Sequence, residues 1–216
     1  MAKPTVPPTA TEEEVRVILE RYRCPVLFHE VRTRCLGNIA TPVSAASPIK
    51  MVEDLWGGKL PAFDSIDAAN ELIGALVMGL WNRLTRHQDR NSPFRLIRIE
   101  TAATREGLAA LALMRVQEIE GFVHGLFGRQ EEINLPERAH RALDDLGKMR
   151  AMFAAVQDLA NDETKAAPLK EMETTIRHMR EMTKNAEHAM HAVVLSCKRA
   201  RRQVLEGAPA SKPTMH

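Results

Sequence analysis

Residues 169–204 read LKEMETTIRHMREMTKNAEHAMHAVVLSCKRARRQV, and this stretch decides the fold. Leu169, Met172, Ile176, Met179, Thr183, Ala186, Met190, Val193, Cys197, Ala200 and Val204 follow one another in alternating steps of three and four. At 3.6 residues per turn, that spacing lays them along one stripe of a single α-helix. Thr183, Ala186 and Ala200 make the stripe shallow. Upstream, Ala139, Ala142, Leu146, Met149, Phe153, Val156 and Ala160 step in the same way behind Asn134 and Pro136. Asn161-Asp162 is a short polar turn between the two runs. Two such helices joined by a tight turn predict an antiparallel αα-hairpin whose second arm is the longer.

Working outward, Leu108, Leu111, Val116, Ile119, Phe122, Val123, Leu126 and Phe127 predict a further buried helix. Residues 88–93 form a polar break. The run Phe94-Arg95-Leu96-Ile97-Arg98-Ile99 reads as helix, since one strand makes no sheet. Ile66, Ala69, Ile73, Leu76, Val77, Leu80, Trp81 and Leu84 describe a wide buried helical face opened by Asp64 or Ser65. Ser47-Pro48 pairs an N-cap with a proline at the first helical position, and Gly57-Gly58 ends that short helix. Thr11 and Glu14 form a capping box for the first helix, which runs to about Arg23. Pro25 opens a second helix that ends near Gly37-Asn38. The prediction is an all-α, multihelical bundle. It has two subdomains, residues 11–100 and 101–206, with disordered ends at residues 1–10 and 207–216.

Composition narrows the function classes. The chain has 216 residues, 44% hydrophobic and 27% charged, enough to bury a core without staples. Aromatics are only 4% while methionine numbers 11, which suits helix-on-helix packing better than a β-sandwich. A formal charge of +2 confers no general affinity for nucleic acid or anionic membrane. Cys24, Cys35 and Cys197 are too widely spaced for a disulfide framework or zinc knuckle and read as reduced, core-lying thiols. With neither a signal-peptide pattern nor a membrane-length apolar run, the expected compartment is the cytoplasm.

No catalytic motif occurs: no GxSxG, P-loop, HExxH or strand-borne GxGxxG. The expectation is therefore a non-enzyme without cofactor or metal. Glu187, His188 and His191 lie close together on the last helix, but two ligands on one helix face are half a metal site, so the histidines read as solvated. The methionines of the seam read as core, with an adaptable docking groove as the alternative. An eleven-position seam spans about 50 Å, of which the preceding helix covers about two-thirds. Val193, Cys197, Ala200 and Val204 are thus expected to be left uncovered, as a binding surface for another protein or for a second copy. Lys198, Arg199, Arg201 and Arg202 offer the alternative, a nucleic-acid contact. A helix C-terminus favours cations in any case, and no interleaved aromatics are present for base stacking.

One segment is more specific. Trp56, Gly57, Gly58, Pro61, Phe63, Asp64-Ser65 and Trp81-Asn82 resemble a signature of the YecA/YgfB-like family of bacterial, all-helical, mostly uncharacterised proteins. Gly121-Phe122 followed by Gly125-Leu126 resembles the family's second signature, and Gly37 and Pro42 fall where a Gly…Pro loop is expected. The similarity spans about residues 25–159. It implies a helical core that acts through protein contacts. Some members carry a cysteine-rich zinc tail, which the Pro-Thr-Met-His ending here does not match. The same residues have a packing reading. Trp56, Phe63 and Trp81 would form one aromatic cluster, and Gly74, Gly79, Gly121 and Gly125, inside helices, would let another helix cross closely.

Overall fold

The computed structural model describes residues 10–42, 47–166 and 168–207. All regular structure among them is helical: α1 (Glu12–Arg21), α2 (Phe28–Ala40), α3 (Pro48–Leu55), α4 (Ile66–Ile73), α5 (Asn82–Leu84), α6 (Arg105–Phe127), α7 (Glu137–Asn161) and α8 (Leu169–Gly207). Between α4 and α5 the helix continues as a π-helical stretch, Gly74–Trp81, and after α5 it tightens to a 3-10 turn, Thr85–Gln88. The disordered ends expected at residues 1–10 and 207–216 lie almost wholly outside the described residues.

Helix starts follow local chemistry. Thr11 and Glu14 form the expected reciprocal box, Ser47 accepts from the Lys50 amide with Pro48 next in line, and Ser65, not Asp64, accepts from the Ala68 amide. Gly57 and Gly58 sit at φ of 74° and 99°, where only glycine is unstrained. Two boundaries differ from expectation. Arg23, at φ 49°, turns the chain after α1, so α2 begins at Phe28 instead of Pro25. It then runs past Gly37 to Ala40, so Gly37 is interior to a helix and not part of a loop.

The buried side chains form one continuous core. Its centre is α6, which buries residues round most of its circumference against α2, α7 and α8. The most extensive pairing is α2 with α6, helices from either side of residue 100. Close approach is permitted by glycine: a Cβ on Gly121 would come within 2.5 Å of Thr33 Oγ1, and one on Gly125 would overlap the Arg34 carbonyl oxygen. Gly79 faces Ala10, with 3.2 Å available for a Cβ, whereas Gly74 faces open space and marks no crossing. Ile66, placed on the buried face by periodicity, is 80% exposed because it occupies the first turn, ahead of the contact. The aromatics divide in two. Trp56 donates to the Tyr22 carbonyl at 3.0 Å and Tyr22 stacks edge-on against Phe63, while Trp81 donates separately to Asn38.

The segment at residues 94–99 is not helical, contrary to the sequence reading. It runs extended across α6 and α8, with Phe94 and Leu96 inward. Buried carboxylates take the place of a neighbouring strand. Glu118 accepts from the Ile97 amide at 3.0 Å, and Glu187 accepts from the Leu96 amide at 2.9 Å and from Arg95 at 2.6 Å. Arg115 pairs with Glu118 and also donates to the Ile97 carbonyl and to Thr183. Burial pushes the Glu118 carboxyl above its ordinary range, with Arg115 pulling the other way. Backbone groups satisfied in this way need no helix of their own.

Candidate functional site

Helix α8, 39 residues and about 58 Å long, outreaches α7 as expected. The uncovered end does not begin at Val193, however. Val193, Val194 and Cys197 are fully buried: α2, α6 and the 3-10 turn pack on α8 as well as α7, and the start of α7 reaches it near Leu195 and Ala200. Ala200 is half-buried, and of the four seam residues expected at the surface Val204 alone is fully exposed, at 73%. The methionines Met179 and Met190 are core.

The basic run is distributed around the same helix end. Lys198 donates to the Gln88 carbonyl at 3.0 Å, Arg202 pairs with Glu206 one turn on, and Arg199 is exposed. Arg201 lies against Gln88, and burial lowers its pKa. Folding brings two further cations to this surface. Arg90 and Arg138 line shallow clefts together with Arg199, and no aromatic side chain joins them. Their positions in sequence, in a loop and at the start of α7, carried no signal linking them to α8.

Glu187 and His188 diverge. Glu187 is buried on the Leu96 amide, His188 is exposed, and His191 is partly buried with a lowered pKa caused mainly by burial. Among the described residues no three His, Cys, Asp or Glu side chains converge as a metal site requires. Of the residues that carry the resemblance, Trp56 and Phe63 hold the turn at residues 57–65 onto Tyr22, and Gly121 and Gly125 seat α6 on α2. Phe122 is fully buried and Asn82 is exposed.

Another concavity lies elsewhere. A groove of about 790 Å³ opens between the C-terminal half of α6, the N-terminal half of α7 and the connection between them. Val123, Phe127, Ile133, Leu135 and Leu143 line it and stay partly exposed. Glu120, Glu131, Glu132 and Asp144 stand at its margin with His124, His140 and Arg150. Arg150 is held by Glu120 at 2.5 Å. One sequence signal was available, Gly147 within α7; Val123 and Phe127, which periodicity places on the buried face of α6, are only partly buried. No helix in the described residues is long and apolar enough to cross a membrane. No family model, curated protein or solved structure matches the chain.

Proposed function

We propose that this chain is a helical protein-interaction module of the YecA/YgfB-like kind, acting in the bacterial cytoplasm without catalytic chemistry or a cofactor of its own, and that the α6/α7 groove is its docking surface. One observation carries the reading: an apolar floor left partly open in a groove of about 790 Å³, within the size range of sites that bury a ligand or an anchor side chain. This relocates the interaction surface from the seam residues Val193 and Cys197, which are core, to the groove between α6 and the N-terminal half of α7. A photo-crosslinking side chain at Leu143 tests it, with one at exposed Met152 as control. A discrete protein captured from Leu143 and not from Met152 is the expected result. Equal capture from both, or none from either, rejects the groove.

A second reading has one observation in its favour. Arg90 and Arg138 join Lys198, Arg199 and Arg202 on one surface, which adds cations to a nucleic-acid contact. Phosphate neutralisation makes such binding fall steeply with salt. Titration with single- and double-stranded oligonucleotides at two salt concentrations, on the intact chain and on Arg199→Ala/Arg202→Ala, decides it. Binding that is salt-independent, or unchanged by the substitutions, removes this reading.

A further inference from the structure

We infer that the α6/α7 groove receives the apolar face of a cationic amphipathic helix from a partner protein. The inference rests on the docking reading above and adds the chemistry of the occupant. Val123 and Phe127, one turn apart on α6, stay partly exposed in the groove over the buried Ile119, and Ile133, Leu135 and Leu143 extend its apolar lining. An apolar groove between two helices is the shape that an amphipathic helix fills with side chains at i, i+3, i+4 and i+7.

The rim sets the sign of the partner's charge. Glu120, Glu131, Glu132 and Asp144 outnumber the one arginine, Arg150, which Glu120 already engages. Glu131 and Glu132 are exposed. Asp144 meets only His140, at 3.5 Å. An acidic segment or a nucleic-acid strand would be repelled from this rim, whereas lysines and arginines flanking an apolar face would be drawn to it.

Gly147 adds to the shape of the groove. Glycine in a helix interior is disfavoured relative to alanine, and Gly121 and Gly125 are explained by the α2 backbone against them. Gly147 has no such neighbour: a Cβ there would meet nothing within 4 Å. It lines the groove, and its missing side chain deepens the groove beside Leu143.

The test uses the full chain and two fluorescein-labelled peptides of about 18 residues, long enough to hold a helix. Both carry leucine at the helical spacing; one has lysine on its polar face, the other glutamate. The lysine peptide is expected to bind at least about tenfold tighter by anisotropy, with affinity falling as salt rises. Gly147→Leu, at a position with open space for its Cβ, puts a side chain into the groove and is expected to weaken binding about tenfold or more, with circular dichroism unchanged and melting unchanged or raised. Glu131→Lys/Glu132→Lys should do the same, and Glu173→Lys on exposed α8 should not. Equal binding of the two peptides, no binding of either, or indifference to Gly147→Leu would overturn the inference. Groove-dependent binding of both peptides alike would overturn only the charge assignment and leave the docking reading standing, as capture from Leu143 judges that reading separately. A concentration-dependent dimer abolished by Gly147→Leu would overturn it in favour of a second copy of this chain.

Discussion

Gly37 of α2 and Gly125 of α6 lie back to back, so close that a Cβ on Gly37 would stand 2.9 Å from the Gly125 carbonyl carbon. The same Cβ would overlap the Phe122 carbonyl oxygen, and one on Gly125 would overlap that of Arg34. The two helices therefore meet backbone to backbone, and neither has a flexible side chain that can yield.

The first prediction follows from this contact. Gly125→Ala is expected to destabilise by about 1–3 kcal/mol or more, as overpacking does where the neighbour is main chain. Gly147→Ala, with open space around its Cβ, is expected to be neutral or to stabilise by up to ~1 kcal/mol. Urea unfolding of the two variants checks the contrast. A larger loss at Gly147 than at Gly125 would contradict the packing described.

A second prediction concerns the buried carboxylate that holds the extended segment. Glu118→Leu strands Arg115 and the Ile97 amide together, and breaking a buried pair on one side costs about 3–5 kcal/mol. Glu118→Gln keeps an acceptor for the Ile97 amide and should cost less. Adding Arg115→Leu to Glu118→Leu should recover part of the loss, because no uncompensated charge remains. Denaturation of the three variants measures this order.

The thiols give a third. Complete burial pushes Cys35 up to about 12 and burial pushes Cys197 up to about 11. A thiolate is the reactive form, so neither should react with an aromatic disulfide reagent in the folded chain. Cys24 is partly exposed, and it should be the single site labelled slowly under native conditions. In denaturant all three should react. Mass spectrometry of the labelled chain reads the pattern.

Acidification gives the fourth. His87 is buried, with Nδ1 2.8 Å from the Ser92 carbonyl and its ring edge-on to Phe94. Burial is the main cause lowering its pKa, as it is for His124 and His191. A histidine whose pKa is lower in the folded chain is protonated more readily when unfolded. Stability is therefore full above the unfolded value of about 6.5 and falls as pH drops through it towards the lower folded values. Melting temperature measured downward from about pH 7.5 should decline through that window. The decline should be shallower in His87→Asn, whose amide can still donate to Ser92.

What the sequence by itself determined are the features made by neighbours in the chain. The capping box of Thr11 and Glu14, the Ser47-Pro48 start and the Gly57-Gly58 stop are all written within a few residues, because caps and left-handed turns satisfy backbone groups three or four positions away. The three–four stripe of α8 was legible for the same reason, and its positions from Ile176 to Cys197 are mostly buried. Tertiary structure alone decided what lies against that stripe. Val193 is core, on a helix that α2 and α6 pack against as well as α7, and helix length carries no record of that. The segment at residues 94–99 is extended because Glu118 and Glu187 accept its amides, the latter from 91 residues away at Leu96. Gly37 is helical because Gly125 leaves it room. The groove beside Gly147 is made by α6, α7 and the connection between them together. Each of these depends on which helices meet, and that is set by burial over the whole chain, which no local spacing encodes.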